Sequence, residues 1–343
     1  MDTLAEREAE ILELMIKAHV ATGEPVGSRT ISKTGIGLSA ATVRNSMADL
    51  EEKGYLTHPF TSAGRLPTDR GYRFYVDKLM AQEELEEDER QHIRERIAFR
   101  VREGNIEGVL EQVSRVIGEL SLNLGVALTP RFERGVFERL EMVHLSESKI
   151  LLVLTIASGL VKTMVIEVDA RIAHSELDET ARAINERLSG LSVAEIRDSV
   201  GERLRSISRG SPRLLRALCD TASTLFRASS GDDLRVGGTG NFFLQPEFSG
   251  DQKSVAALLD LLEERNVIVT ILDERMDNEG IAITIGNEHG APELHNCSVL
   301  TSRYRVGDVS GLVGVIGPTR IPYAKMVPML RYVTHVTEEM LAQ

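Results

Sequence analysis

The sequence contains no tryptophan, few aromatic residues of any kind and only two cysteines. Cys219 and Cys297 lie far apart, and the acidic, polar N-terminus is unlike a secretory signal, so we expect no disulfide framework and a reducing cytosol as the location. No apolar run reaches the roughly 18 residues that a transmembrane helix needs. These absences predict a soluble cytoplasmic protein.

Positive charge is also scarce, since the formal net charge is −12 at pH 7, and this sum argues against a nucleic-acid partner. The charge is unevenly distributed along the chain. Residues 28–78 contain eight Lys or Arg and five Asp or Glu, and the segment 83–89 that follows is strongly acidic. Because the location of charge matters more than its sum, a weakly basic module ahead of an acidic body leaves DNA binding open.

The length of 343 residues exceeds what one hydrophobic core usually supports, so we expect two or three domains. Residues 83–120 have a charged helical pattern that is typical of a connector more than of a core. β-rich runs at 149–155 and 160–168 are predicted to form a hairpin with its turn at 157–159, which contains Gly159. A helical stretch at 173–226 follows, and further strand-like runs come after it. This order predicts an α+β fold with an antiparallel sheet and a helical insertion. The later strand-like runs are 267–272, 281–285, 297–301 and 312–316, and a final helix is predicted around 326–333.

Residues 1–80 show the order of a helix-turn-helix that is followed by a hairpin. The first helix is predicted to begin with a capping box from Thr3 and Glu6, and a short second helix with Ser28 as its cap. Residues 34–38 contain two glycines and suit a tight turn. A third helix follows with Ser39 as its N-cap. The remaining predicted features are a terminating glycine at Gly54, a strand from Tyr55, a hairpin tip at 61–65 and a fourth helix from Pro67.

The third helix is the candidate recognition helix. Its apolar positions Val43, Met47 and Leu50 face inward, which leaves the opposite face for a DNA major groove about 12 Å wide. On that face Arg44 fits a guanine edge and Asn45 an adenine edge. The neighbouring small side chains allow a close approach, and the amides at the start of the helix suit a phosphate.

The predicted hairpin supplies a second candidate contact, because Arg65 beside Gly64 can reach the DNA backbone or the minor groove. Two other interpretations stay open: a solvated face of an ordinary amphipathic helix, and a winged helix that binds protein. The nearly uncharged face favours DNA, since a solvated face usually carries more Glu and Lys. The candidate DNA-binding residues are Ser39, Ala41, Thr42, Arg44, Asn45, Ala48, Ser62, Gly64 and Arg65.

Longer motifs at both ends of the chain resemble the heat-inducible transcription repressors of the HrcA family. The N-terminal ones are PVGSRTIS at 25–32 and LSAATVRNSMADLEEKGYLTHPFTSAGRLPTDRGYRFYVD at 38–77. Residues 85–235 match that family in length and layout more than in motif. The C-terminal motifs are NFFLQPEF at 241–248, IGNE at 285–288, CSVLTSRYRVGD at 297–308 and GVIGPTRIPYAK at 314–325.

The resemblance implies a domain order. It implies a winged-helix DNA-binding domain at 1–80, a helical charged connector at 81–120, and a GAF-like domain in two parts, 121–172 and 229–343. A helical dimerisation segment at 173–228 is inserted between those two parts.

The resemblance also implies a role. A homodimer is expected to bind an inverted-repeat operator in double-stranded DNA ahead of chaperone operons, within the bacterial nucleoid. The chaperonin is expected to keep the repressor active until heat-unfolded proteins occupy it. The alternative that stays open is a small-molecule-responsive repressor with the GAF-like domain as its ligand sensor.

Other constellations are interpreted as structural. Glu288, His289, His295 and Cys297 fit no common zinc spacing, so a loop is favoured there. Residues 237–240 are glycine-rich, but no Gly-Lys-Ser/Thr follows them, and a phosphate cradle is not favoured.

No catalytic role is expected. The sequence has no Ser/His/Asp ordering and no paired carboxylates in an apolar setting, and we expect neither a cofactor nor a metal. Gly314 and Gly317 are expected at the end of a strand and in a turn.

Overall fold

The computed structural model describes residues 4–59, 64–99, 106–168, 172–226, 233–249, 265–276 and 280–342. Residues 4–79, the N-terminal unit, form three helices, a two-stranded antiparallel sheet and a fourth helix. Met15, Ile31 and Leu50 meet in its core and are fully buried. The elements are α1 (Glu6–Thr22), α2 (Ser28–Ser32), α3 (Ala40–Glu52), β1 (Leu56–Thr57), β2 (Leu66–Pro67) and α4 (Asp69–Phe74), which continues as a π-helical turn (Tyr75–Leu79).

Two helix starts differ from the sequence prediction. Helix α1 begins at Glu6 with Ala5 as its N-cap, and the Ala5 amide donates to the Glu8 carboxylate at 3.2 Å. The predicted capping box of Thr3 and Glu6 is therefore wrong by two residues, and Thr3 lies outside the described residues. Helix α2 has Ser28 as its first residue instead of its cap.

The remaining elements form two antiparallel sheets and the helices that cover them. They are α5 (Glu87–Ala98), α6 (Ile106–Ser121), β3 (Leu124–Leu128), β4 (Phe137–His144), β5 (Lys149–Ile156), β6 (Val161–Glu167), α7 (His174–Leu188), α8 (Val193–Arg205), α9 (Pro212–Leu225), β7 (Leu234–Gly237), α10 (Thr239–Phe243), α11 (Pro246–Ser249), α12 (Arg265–Asp273), β8 (Ile281–Ile285), β9 (Cys297–Val306), β10 (Val309–Pro318) and α13 (Tyr323–Leu341).

The larger sheet, here the central sheet, has the strand order β7-β3-β10-β9-β8. Helices α6 and α13 pack on one face, and α12 packs on the other, where Ile268 and Leu272 meet Val126 and Leu312. Because both faces are covered, β9 and β10 are buried along nearly their whole length. The largely apolar run 312–316 in β10 reflects this two-sided burial.

The smaller sheet, here the side sheet, has the order β4-β5-β6 and packs against α7, α8 and α9. The tight β5–β6 turn has Gly159 at φ +84°. The sequence analysis grouped 121–172 and 229–343 as the two parts of one domain. The strand pairing divides the first of these parts between two sheets. Strand β3 pairs with β10 and β7 in the central sheet, whereas β4 to β6 form their own sheet. We call residues 137–226 the inserted unit.

The charged segment before the central sheet is more than a connector. Helix α6 buries Leu110, Val113 and Ile117 against the sheet, while Glu111 and Arg115 pair on its outer face at 3.0 Å. Helix α5 likewise buries its few apolar residues. The prediction of a connector up to residue 120 is therefore wrong for α6. The charged residues of α6 lie on one face of the helix, and the composition of the segment does not show the apolar stripe on the other face.

Two further local predictions are wrong. The strand-like run 267–272 belongs to helix α12, because Ile268, Ile271 and Leu272 are buried on one side at helical spacing. Gly314 lies inside β10, and Gly317 is the next-to-last residue of that strand instead of lying in a turn. A Cβ at Gly314 would come within 2.6 Å of the Leu300 carbonyl. Among the described helices, none has the length and apolar character that would cross a membrane.

Candidate nucleic-acid interface

Helix α3 begins and ends at sharply defined residues. Ser39 is its N-cap, as predicted, and the Ser39 hydroxyl accepts a hydrogen bond from the Thr42 amide at 3.1 Å. Gly54, just past the helix, has φ +78°, a left-handed conformation that favours glycine. The first amides of an α-helix have no partner within the helix, so this end of α3 presents donors to the surface.

The inner face of α3 fixes the helix to the rest of the N-terminal unit. Val43, Met47 and Leu50 are buried, as the sequence predicted. At the far end, the Lys53 ammonium pairs with the Glu8 carboxylate of α1 at 2.7 Å. The hydrogen bond from Lys53 holds the pKa of Glu8 below its ordinary value, against the opposing effect of burial. The helix is therefore fixed to the unit along one side and at its C-terminal end.

The outer face of α3 carries the predicted contact residues together. Thr42 is half-buried, and the other members are exposed to solvent. Within the described part of the chain, no ion pair or hydrogen bond engages the Arg44 guanidinium. The exposed members are Ser39, Ala41, Arg44, Asn45 and Ala48.

The hairpin is tied to the segment before α2. Arg65 and Val26 exchange two backbone hydrogen bonds of 2.9 Å each. A Cβ at Gly64 would come within 2.6 Å of the Val26 carbonyl, so Gly64 is required for this close approach. Ser62, the third predicted hairpin contact, lies outside the described residues.

The Arg65 side chain is engaged inside the unit. Its Nε atom lies 2.6 Å from Oε2 of Glu51, near the end of α3, and the side chain is 26 % exposed. The same carboxylate is paired with the His58 imidazole on the hairpin. Glu51 therefore joins the hairpin to α3, which the sequence reasoning did not foresee.

Residues after the hairpin position it, and the sequence reasoning gave them no role in the site. The Thr68 hydroxyl donates to the Gly54 carbonyl at 2.7 Å, and the Arg70 guanidinium lies 4.7 Å from the centre of the Tyr55 ring. A Cβ at Gly71 would come within 2.3 Å of the Tyr55 carbonyl oxygen. In the sequence, the signal that could have indicated these contacts was the motif PTDRGYRF at 67–74, which contains all three residues.

The residues of the rejected zinc hypothesis are engaged elsewhere. His289 contacts the Cys297 carbonyl through Nε2 at 3.1 Å and the Arg275 guanidinium through Nδ1 at 3.3 Å. Burial raises the pKa of the Cys297 thiol to about 12, so the thiol stays protonated. Glu288 is paired with Arg73. Across the described ranges no group of three or more His, Cys, Asp or Glu could hold a metal ion.

The rejected phosphate cradle has a packing role. Gly238 has φ +77°, and a Cβ at Gly118 of α6 would come within 2.7 Å of the Gly237 carbonyl. The glycines therefore allow α6 to lie close against β7. The role of these glycines is therefore in the packing of α6 on β7.

One cleft bears on the ligand-sensor alternative. A cavity of about 430 Å³ is lined by Arg275, Thr284, Glu288 and His289, among others. The buried Arg275 guanidinium donates to the Thr284 hydroxyl at 2.7 Å and to the Ile271 carbonyl. Because its polar groups are engaged with one another, this cleft does not by itself favour a ligand.

A family model described as the HrcA protein C terminal domain matches residues 107–327, which extend from α6 into α13. The chain belongs to the HrcA family. This membership makes it a heat-inducible transcription repressor, a negative regulator of heat-shock genes. Repressors of this family are not enzymes.

Curated HrcA relatives match nearly the whole chain. The heat-inducible transcription repressor HrcA of Chlorobium chlorochromatii is 39 % identical, with 96 % of this chain and 95 % of that protein covered. The HrcA protein of Geobacter sulfurreducens is 39 % identical over 99 % of both chains. That of Syntrophobacter fumaroxidans is 37 % identical over 100 % of this chain and 99 % of its own. The resemblance found in the terminal motifs is thus confirmed along the full length.

A solved structure shares the fold. The crystal structure of a hypothetical protein aligns with a TM-score of 0.61 and 21 % identity, covering 99 % of each chain. At this identity the match supports the mixed α/β architecture with antiparallel sheets.

Proposed function

We propose that the N-terminal unit is a winged helix-turn-helix that binds double-stranded operator DNA through α3 and the hairpin. The observation that carries the proposal is the exposed and nearly uncharged outer face of α3, with Arg44 and Asn45 side by side on it. A helix that enters the major groove needs one buried face and one face of small or hydrogen-bonding side chains. The helix start, with its unpaired amides, suits a phosphate.

The chain acts as a homodimer on an inverted repeat in this proposal. Repressors of this kind place two recognition helices about 34 Å apart, or a multiple of that distance. The central sheet with α6, α12 and α13 is the proposed GAF-like domain, and the inserted unit supplies the dimer contact. The operators lie ahead of chaperone operons, and the chaperonin modulates activity, as the family resemblance implies.

Footprinting tests the function directly. On DNA from upstream of the chaperone genes, we expect two protected half-sites related by two-fold symmetry. Protection of one half-site only, or no preference over random duplex, would contradict the proposal.

Replacing Arg44 with alanine should cost about 1–3 kcal/mol of affinity for the operator, because a bidentate contact to a base is lost. Fold stability should change little, since the side chain is exposed. Fluorescence anisotropy on operator and on random duplex measures the difference. The matched control is Arg29→Ala on α2, which removes the same charge from another exposed site and should not alter the preference for operator. An equal loss on both DNAs for Arg44→Ala would assign Arg44 to a phosphate contact.

Replacing Arg65 with alanine should weaken binding to all sequences and lower the slope of log affinity against log salt by about one unit. On binding, a DNA phosphate takes the place of the Glu51 carboxylate as the partner of Arg65. Glu51→Gln releases Arg65 and should strengthen binding to every duplex. If Arg65→Ala leaves both affinity and slope unchanged, the hairpin does not touch DNA.

A further inference from the structure

The N-terminal unit is joined to the central sheet by a polar contact on α4. The Arg73 guanidinium binds the Glu288 carboxylate, with Nε donating to Oε1 at 2.8 Å, and it also donates to the Ile283 carbonyl at 2.7 Å. The two partners are about 210 residues from Arg73 in sequence, in β8 and the turn that follows it. Both side chains of the ion pair are about two-thirds buried. The contact is therefore a specific one between domains.

The start of α4 is held by the same turn. The Asp69 carboxylate accepts hydrogen bonds from the Asn287 backbone amide at 3.0 Å and from its side-chain amide at 2.8 Å. Gly286 has φ +54°, and a Cβ there would come within 2.3 Å of this carboxylate. The glycine in the IGNE motif is thus required for the turn to reach Asp69. We call Asp69 and Arg73, together with 283–288, the α4 clamp.

A second contact holds the end of α1. The Arg320 guanidinium reaches the Val20 carbonyl at 3.5 Å, and it also binds Gln245 at 2.9 Å and Glu247. Both this contact and the α4 clamp use residues outside α3. They can therefore set the orientation of the N-terminal unit without occupying the face that would meet DNA.

We propose that the α4 clamp fixes the orientation of each N-terminal unit and thereby sets the spacing of half-sites that the dimer accepts. This inference rests on the proposed binding of a dimer to an inverted repeat. One added base pair moves a half-site by about 3.4 Å along the duplex axis and also turns it about that axis. A unit fixed by the clamp cannot follow this displacement, whereas a unit released from the clamp can follow more of it.

The chain connection alone would be a loose link. Residues 80–86, which lead from the N-terminal unit to α5, form neither helix nor strand. Without the clamp, the unit would keep the Arg320 contact at α1 and the contact of the Tyr72 ring with the Tyr323 ring, 6.0 Å between centres. Its orientation would be less tightly fixed, and the effective concentration of the second recognition helix at its half-site would fall. The loss would appear only on paired half-sites.

The test uses the full-length dimer and a series of operators that differ by single base pairs in their spacer. The variant is Glu288→Ala, which removes the anionic partner of Arg73 without replacing any residue of the N-terminal unit. The control is Asp77→Ala, which removes the other carboxylate partner of Arg73, 3.2 Å away and one turn along on the same side. Thermal melting of both variants is recorded to establish that each is folded.

Wild type and Asp77→Ala should bind one spacing best and lose about tenfold or more on the neighbouring spacings, because avidity depends on simultaneous engagement. Glu288→Ala should bind the best operator about tenfold more weakly and discriminate less among spacings. Its affinity for an isolated half-site should equal that of wild type. Arg73→Ala should give the same profile, and the double variant should be no worse than either single one.

A Glu288→Ala profile identical to that of wild type would overturn the clamp while leaving the repressor function intact. If wild type itself shows no preference among spacings, or no operator binding, the proposed binding of a dimer to an inverted repeat fails and the clamp inference falls with it.

Discussion

Replacing Val165 with aspartate should convert the proposed dimer into a monomer and lower affinity for the expected inverted-repeat operator by about a hundredfold or more, because the two proposed recognition helices then bind independently. Val165 lies on the side sheet, in a row with Leu151 and Val143 across the three strands. It is 49 % exposed and Val143 is 47 % exposed. An aspartate at this position would place a charge in the centre of the expected contact.

The outer face of the side sheet is the apolar surface that the inserted unit leaves uncovered. Helices α7, α8 and α9 bury their own apolar residues, such as Ile184, Ile196 and Leu218, against the inner face, so these helices have little apolar surface to offer a partner. Large contiguous apolar patches on a soluble protein commonly mark a contact with another protein. The patch consists of Val143, Leu145, Leu151, Val153, Val161 and Val165.

The charges around this patch suit a two-fold contact between identical chains. Lys149 pairs with Glu167 at 3.4 Å, and Arg139 lies 3.7 Å from Glu141. Because both signs are present on one rim, a two-fold related copy can match each of them with its opposite. We therefore propose the sheet as the dimer contact, whereas the family resemblance had implied the helical segment 173–228.

Sedimentation of the Val165→Asp variant measures the association state, and anisotropy measures operator affinity. The matched control is Ser175→Asp, which adds the same charge at an exposed position in the first turn of α7, on the helical side of the inserted unit. Aspartate is tolerated in the first turn of a helix, so this variant should stay dimeric. A Val165→Asp protein that remains a dimer would refute the assignment of the contact to this sheet.

Local sequence patterns predicted the N-terminal unit well. The Ser39 cap, the Gly54 terminator and the inward set on α3 depend on neighbours within a few residues, so their signals are complete in the sequence itself. The β5–β6 hairpin was predicted for the same reason, through the glycine in its turn. The family motifs then supplied the function, which no periodicity could.

The errors occur where tertiary contacts override local preference. The β-branched residues of α12 predict a strand from local preference. In the fold they form a helix instead, and Ile268 and Leu272 of this helix pack on the central sheet. Strand β5 pairs with its chain neighbours β4 and β6 in the side sheet, whereas β3 pairs with the distant strands β7 and β10. Which of these strands share a sheet is therefore not decided by local sequence. Composition alone could not reveal either result.

The residues that position the candidate site were missed for a related reason. Glu51 gave no signal that it would engage Arg65, since an acidic residue near a helix end is ordinarily solvated. The α4 clamp joins Arg73 to Glu288 across 215 residues, and neither residue is unusual in its own neighbourhood. Such pairs become visible only in the folded chain.

The purified repressor should lose operator binding on warming before its helices melt. The cores of the N-terminal unit and the central sheet contain fully buried residues such as Leu50 and Val313, whereas the α4 clamp consists of a few hydrogen bonds and one partly exposed ion pair. Local openings require less free energy than global unfolding, and interfaces between domains are commonly the first to separate. Heat should therefore release the recognition helices from their fixed orientation while the secondary structure is intact.

Anisotropy with labelled operator, recorded with far-ultraviolet circular dichroism over the same temperature steps, measures the two transitions. We expect affinity for the paired operator to fall about tenfold at temperatures where the dichroism is unchanged, and chaperonin with nucleotide to restore it without altering the footprint. Glu288→Ala should lower the temperature at which binding is lost and leave the dichroism transition in place, whereas Asp77→Ala should change neither. If binding and dichroism fall together and chaperonin has no effect, the heat response does not pass through the orientation of the N-terminal unit, because an opened clamp must release DNA while the helices remain folded.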